Sequence, residues 1–189
     1  MAAIAERRGT LRGLRSPGAT FVTILIALGA LSLGTAAKAG ALSAGERAYA
    51  RHDYVHAAPL LLLDAERGSP IAQTYIGFMY QQGLGVPRSY EVAAGWLNEA
   101  AQQGEPTAQF LLGLLFDKGY GVPKDWVQAE VWLNLAASQA SGAQRDYRVR
   151  MRDAVAQKLT LDQFAEAQQR AYAWAPTPFR SSAPIRTHY

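Results

Sequence analysis

This sequence predicts an all-α solenoid, in which antiparallel helix pairs stack and capping helices close the ends. The first observation is a repeat: residues 68–103 recur without a gap as residues 104–139, and sixteen of the 36 aligned positions are identical. The second is that apolar residues in each copy fall at helical spacing. The third is that glycine, proline and capping residues stand where two helices per copy would begin and end. A repeat of this period indicates units that bury their apolar faces against their neighbours.

Each copy is predicted to contain two helices. In the first copy, Ser69 is a suitable N-cap and Pro70 a suitable first residue for a helix that runs to about Gln82. Gly83 then acts as a left-handed C-cap, and Ser89 begins the second helix after a Gly-x-Gly-Val-Pro turn. The second copy repeats this plan 36 residues later, so each unit should bury its apolar face against its neighbours.

Shorter pieces are predicted at both ends of the repeats. At the same offset, a partial unit covers residues 43–67, and the whole solenoid covers residues 40–142. Two capping helices are expected within residues 143–174, and Thr160 and Gln163 form a capping box for the second of them. Residues 175–189 are rich in proline and poor in apolar residues, so they are predicted to be a disordered tail.

The beginning of the chain has the three-part pattern of a secretory signal peptide. Four arginines up to Arg15 precede an uncharged, mostly apolar run over residues 21–33, and Ala37-Lys38-Ala39 offers a cleavage site. The apolar run is shorter than the ~20 residues that a membrane span needs. We therefore expect residues 1–39 to be removed after Ala39, with the mature protein in the periplasm or secreted and without a stable membrane span. An uncleaved anchor is the alternative.

Charge and cysteine content exclude several classes of protein. The chain has 19 Lys and Arg against 15 Asp and Glu, but residues 1–39 hold five of the former and one of the latter, which leaves 14 of each sign. A mature chain without net charge does not favour nucleic acid binding. There is no cysteine, so packing rather than disulfides must hold the exported domain together.

The repeated pattern resembles a known repeat family. It reads Ala-x-x-x-Leu-Gly-x-x-Tyr-x-x-Gly-x-Gly-Val-x-x-Asp-x-x-x-Ala-x-x-Trp-x-x-x-Ala-Ala and is similar to the Sel-1-like repeat, a relative of the tetratricopeptide repeat. Residues 72–101 and 108–137 match nearly throughout, with Ser89 in place of aspartate and Phe116 in place of tyrosine. The resemblance covers residues 43–174, and the ends, Gly45 to Tyr54 and Leu159 to Ala171, are similar to small exported bacterial members. It implies an α-solenoid that acts as an adaptor or scaffold for other proteins. A cysteine-rich branch of the family is linked to β-lactam binding, and this link does not carry over to a chain without cysteine.

By analogy with tetratricopeptide units, part of each first helix should line a concave face. An apolar stripe is predicted there, which we call the inner stripe: Phe78, Phe110 and Leu114. Polar residues beside it are Thr74, Gln81, Asp117 and Lys118. An apolar centre with a polar rim is typical of an interaction surface, so we expect a groove for a partner peptide or helix. The alternative is that the chain's own end helices cover the stripe.

Other groups of polar residues do not predict a metal site or a catalytic site. His52 and His56 share a helix face near Asp53, but a metal site usually needs three or four ligands, so no metal and no cofactor are predicted. No serine lies in a Gly-x-Ser-x-Gly elbow, and no catalytic residue is predicted. A basic cluster, interpreted as a solvated cap, consists of Arg145, Arg148, Arg150 and Arg152.

The sequence therefore predicts an exported, monomeric adaptor that binds another protein and is not an enzyme. One alternative is a periplasmic regulator that holds an envelope sensor, which differs only in its partner. Another is an enzyme that acts on the cell wall or on an antibiotic. A third is a structural subunit that self-associates through the ends of its solenoid.

Overall fold

The computed structural model describes residues 42–178, and these form eight α-helices and no strand. The helices are α1 (Ala44–Ala50), α2 (Tyr54–Glu66), α3 (Pro70–Gln82), α4 (Tyr90–Gln102), α5 (Pro106–Lys118), α6 (Trp126–Ser138), α7 (Gly142–Ala156) and α8 (Leu161–Ala173). From α1 to α7 each helix packs against the next one in the chain, which confirms the all-α solenoid. The predicted signal peptide and residues 179–189 of the predicted tail lie outside the described residues. Within residues 42–178, no helix combines the length and apolar composition that a membrane span requires.

The repeat produces helices of identical length in identical register. Helices α3 and α5 begin 36 residues apart, as do α2, α4 and α6, and each of these five has 13 residues. The predicted caps are confirmed: the Ser69 side chain accepts a hydrogen bond from the backbone N–H of Ala72, and Gly83 adopts the left-handed conformation with φ of 73°. The capping box of Thr160 and Gln163 is also formed at the start of α8.

Adjacent units meet where the turn glycines approach the preceding unit. A Cβ on Gly85 would lie 2.3 Å from the carbonyl oxygen of Tyr54, and a Cβ on Gly121 would lie 2.1 Å from that of Tyr90. Because both glycines also have positive φ, a side chain at either position would strain the backbone as well as collide. These contacts fix each turn against the start of the second helix one unit earlier.

Buried glutamines form a second set of links between units. The side-chain amide of Gln73 donates to the carbonyl oxygen of Ala65 at 3.1 Å, and Gln103 donates to Oε1 of Gln73 at 2.7 Å. The same pair of bonds recurs 36 residues later, from Gln109 to Ala101 and from Gln139 to Gln109. Buried amides are costly without partners, so these recurrent residues stabilise the fold.

The end of the described chain does not continue the repeat. Helix α8 packs against α6 rather than forming a regular pair with α7. The Trp174 ring then lies 6.2 Å from that of Trp132, and the backbone N–H of Thr177 donates to the carbonyl oxygen of Gln102 at 2.8 Å. Residues 175–178, where the sequence predicts the beginning of a disordered tail, are thus held against the repeats. The composition of residues 175–189 predicts a disordered tail, whereas a backbone hydrogen bond and the closeness of Pro176 to Gly104 hold residues 175–178.

Candidate partner-binding surfaces

The inner stripe is buried in the first repeat. Phe78 is 0% exposed, and Thr74 is also buried, with its hydroxyl oxygen 2.7 Å from the carbonyl oxygen of Pro70 and 3.2 Å from a carboxylate oxygen of Glu105. Gln81 is half-buried. The expected exposure of Phe78 and Thr74 was therefore wrong, because both side chains are packed inside the protein.

In the second repeat, α7 covers the inner stripe. Phe110 is only 3% exposed, its ring centroid lies 5.7 Å from that of Tyr147, and the Arg148 guanidinium lies 5.7 Å from the same ring. Leu114 remains half-buried. The expected exposure of Phe110 was wrong as well. At this residue the alternative holds, in which an end helix of the chain covers the stripe.

Arg148 holds α7 in this position and does not belong to a solvated cluster. It is 4% exposed and donates to the carbonyl oxygen of Ala136 at 3.0 Å. Desolvation lowers the pKa of Arg148, and the nearby carboxylate of Glu105 opposes that shift. Desolvation in turn raises the pKa of Glu105, although the Ala108 N–H and the Arg148 charge favour its ionised form. The interpretation of the whole basic cluster as a solvated cap was wrong for Arg148.

Residues of the predicted polar rim form ion pairs within the chain. Asp117 is buried and forms ion pairs with Lys158 and with Lys118, whose Nζ lies 2.9 Å from an Asp117 oxygen. Desolvation raises the pKa of Asp117, but hydrogen bonds from Lys158 and Lys118 outweigh it, and the net shift is downward. Of the seven residues predicted to bind a partner, only Lys118 is exposed.

The opposite side of the second helices carries a different set of residues. We define an outer stripe on each second helix by three positions four residues apart, on the side turned away from the first helices. The outer stripes are Val55, Pro59 and Leu63 on α2; Glu91, Gly95 and Glu99 on α4; and Val127, Val131 and Leu135 on α6. The stripe is thus polar only in the middle helix.

Helix α8 covers the outer stripe of α6. Ala167 and Ala171 are buried in one apolar cluster with Val131, against which Val127 and Leu135 also pack. Beside this cluster, the side-chain amide of Gln168 donates to Glu130 at 3.2 Å and accepts from Asn134 at 3.0 Å. Desolvation raises the pKa of Glu130 to about 7; the Arg152 charge on α7 opposes this shift and Asp153 adds to it.

The outer stripe of α2 is exposed. Val55 is 71% exposed and Leu63 is 51% exposed, with the exposed Pro59 between them. Exposed apolar residues that are contiguous on one helix face are typical of an interaction surface. Sequence reasoning missed this surface, although the contrast among residues 55, 91 and 127 is present in the repeat alignment.

Two polar constellations remain. Lys124 lies 4.7 Å from the Trp126 ring centroid, beside an open cleft of about 280 Å³ that Val127 and Gln163 also line. His56 Nδ1 lies 2.8 Å from Asp53, and no three His, Cys, Asp or Glu side chains among residues 42–178 are grouped to hold a metal. Neither arrangement brings together the groups that catalysis would need.

Comparisons with known proteins agree with this repeat architecture. A family model for the Sel1 repeat matches residues 70–105 and 106–141, so the chain contains two Sel1 repeats. A protective antigen present in uropathogenic Escherichia coli strains, described as displaying an SLR fold, matches with a TM-score of 0.60 and 26% identity over 88% of this chain and 34% of its own. A Sel1 repeat protein from Oxalobacter formigenes matches with a TM-score of 0.53 and 34% identity over 68% of this chain and 55% of its own. This chain therefore spans between about one third and just over half of the length of these relatives. No curated protein matches its sequence.

Proposed function

We propose that this Sel1 repeat protein is an exported adaptor that binds a partner protein through the outer stripe of α2. The Sel1 repeat fold generally mediates protein–protein interaction and is typically a non-enzymatic scaffold. Export to the periplasm or beyond is supported by the signal-like pattern of residues 1–39. We also propose that the adaptor is a monomer, which leaves its exposed stripe free to bind the partner.

The observation that carries the proposal is the exposed apolar surface of Val55, Pro59 and Leu63. Fixed apolar residues on a rigid helix lose little conformational entropy when a partner covers them. The inner stripe offers no comparable surface, because Phe78 and Phe110 are buried. The binding surface is therefore proposed at the outer side of the N-terminal end of the solenoid.

The test is a pull-down from envelope extract with the full chain, expressed from its own start and tagged at its C terminus. Three proteins are compared: the wild type, Val55→Glu/Leu63→Glu, and the control Leu161→Glu/Tyr172→Glu. The first variant copies Glu91 and Glu99 of α4, so the fold already accepts glutamate at those positions. The control adds the same charge to two exposed apolar residues on α8.

A partner retained by the wild type and the control, but lost by V55E/L63E, is the expected result. Recovery of the same partners by all three proteins would overturn the proposed surface. N-terminal sequencing of the recovered wild type should begin at Gly40, and an intact Met1 would overturn cleavage after Ala39. Light scattering on the same preparation should give the mass of one chain, and a larger assembly would favour self-association.

A further inference from the structure

We infer that the outer stripe of α2 accepts an amphipathic helix of the partner that presents alanines four residues apart, as α8 does on α6. The inference rests on the proposed function and adds the chemistry of the partner. The second helices are equivalent, α8 packs on α6 through alanines, and two substitutions distinguish α2 from α6.

The second helices are structurally equivalent. Their buried sides carry the same residue types at the same register, namely Ala57, Ala93 and Ala129, and Leu61, Leu97 and Leu133, all of them fully buried. The outer stripes of α2 and α6 therefore stand at the same positions on the same kind of helix. What packs on one of them is a physical guide to what fits the other.

On α6, small residues make the contact possible. Ala167 is fully buried and Ala171 nearly so, and both pack in the cluster of Val131. Alanine lets two helix backbones approach closely while the valine and leucine side chains fill the space between them. The outer stripe of α2 offers the same arrangement, with Val55 in place of Val127, Pro59 in place of Val131 and Leu63 in place of Leu135.

Two neighbouring positions indicate how the partner differs from α8. Gln168 of α8 is satisfied by Glu130 and Asn134, but the residues of α2 at those positions are Ala58 and Leu62. An amide placed against Ala58 and Leu62 would lose its hydrogen bonds, which should weaken binding about tenfold. The α8 helix of a second copy is thus a poor occupant, and the partner helix should carry an apolar residue at the position of Gln168.

Charge contributes little to this recognition. The stripe itself carries no charged residue, and Arg67 at the end of the helix is paired with Asp64. From Val55 to Leu63 the stripe spans nine residues, or about 12 Å of helix. A partner helix of about three turns would cover it, with an affinity that changes little with salt.

The test uses a fluorescent peptide with the sequence of residues 160–173, which retains the capping box, and with Gln168→Leu. Its binding to the full chain, processed during expression, is measured by anisotropy in low and high salt. We expect binding to the wild type and to L161E/Y172E, and binding at least about tenfold weaker to V55E/L63E. The peptide with the natural Gln168 should bind about tenfold more weakly than the Q168L peptide.

Several results would overturn the inference. Equal binding to V55E/L63E would mean that the peptide displaces α8 from α6, and equal affinity of the two peptides would remove the assigned apolar contact. If phosphatidylglycerol-containing vesicles bind the wild type but not V55E/L63E, while neither peptide binds, the stripe is a membrane contact.

The inference and the proposed function can fail separately. If the pull-down yields a partner that depends on Val55 and Leu63 but neither peptide binds, the adaptor stands and the helix assignment is wrong. If the Q168L peptide binds as expected but no envelope protein is recovered, the surface stands and the proposed adaptor function is wrong.

Discussion

The two complete repeats, residues 68–103 and 104–139, share their inner packing and differ on the outside. The first presents Glu91, Gly95 and Glu99 on its second helix, whereas the second presents Val127, Val131 and Leu135 and is covered by α8. The positions that are identical hold one unit to the next. The positions that differ indicate where something else packs, and this lesson extends to α2, whose outer stripe resembles the covered one.

The largest effect is expected at an inner position where the repeats differ, since Phe78 is fully buried and its counterpart Leu114 is half-buried. Phe78→Ala should lower the free energy of unfolding by about 3–5 kcal/mol, because a fully buried aromatic ring is replaced by a cavity. Urea denaturation measures this, with Leu114→Ala as a half-buried control that should cost less. A loss no greater for Phe78→Ala than for the control would restore the inner stripe as an open surface.

A pH-dependent effect should distinguish the repeats at one aligned position, where the second has Glu130 and the first has Ala94. Burial raises the Glu130 pKa from 4.5 to about 7, so the folded protein binds more protons than the unfolded chain between those pH values. The contribution of this group to the free energy of unfolding is fully present below pH 4.5. It is lost as the pH rises through about 7, and the total loss is about 3 kcal/mol. Glu130→Gln should remove that loss.

The comparison for this prediction is the unfolding free energy of the wild type minus that of E130Q, measured between pH 4 and 8. Subtraction removes the titration of every other group that the two proteins share. A difference that does not change with pH would contradict a raised pKa at Glu130.

A smaller effect should follow when the second repeat is made more like the first. Val131→Gly copies Gly95 and should destabilise the protein by about 2–3 kcal/mol, through lost burial against α8 and the poor helix propensity of glycine. Hydrogen exchange should then accelerate in α8 before it does in α3 and α4. Uniform acceleration along the chain would mean that α8 is not a separately docked element.

The smallest effect is expected from the reverse comparison, in which α2 is made like α4. V55E/L63E should change the free energy of unfolding by no more than about 0.5 kcal/mol, because both side chains are largely exposed. Thermal or urea denaturation checks this. A loss above about 2 kcal/mol would show that the outer stripe of α2 is part of the core and not a binding surface.

Much of the fold could be predicted from local sequence signals. The helix boundaries follow from Ser69, Gly83 and their counterparts, because caps and left-handed glycines act within a few residues. The repeat then determines which helices pack together, since each unit can bury its apolar face only against its neighbours.

The candidate site was harder to predict, because periodicity identifies an apolar helix face but not what covers it. Phe110 is apolar and lies on the predicted face, yet Tyr147 and Arg148 arrive from a helix that does not follow the repeat pattern. Arg148 resembled a surface residue in the sequence, because its buried acceptor at Ala136 is a backbone group without a sequence signature. The outer stripe of α2 could be found only by comparing the residues that differ between aligned units.

The hydrogen bond from Thr177 to Gln102 spans 75 residues and joins the end of the described chain to the first complete repeat. In an open array of units, each coupled only to its neighbours, terminal units can fray while the rest remain folded. A contact between distant units opposes such fraying, because the end of the described chain can leave the first repeat only when this bond is broken. Closing so long a loop also slows folding, because the chain loses conformational entropy before the contact can stabilise it. We therefore expect the end of this small solenoid to fray less than that of a linear array, and the chain to fold more slowly.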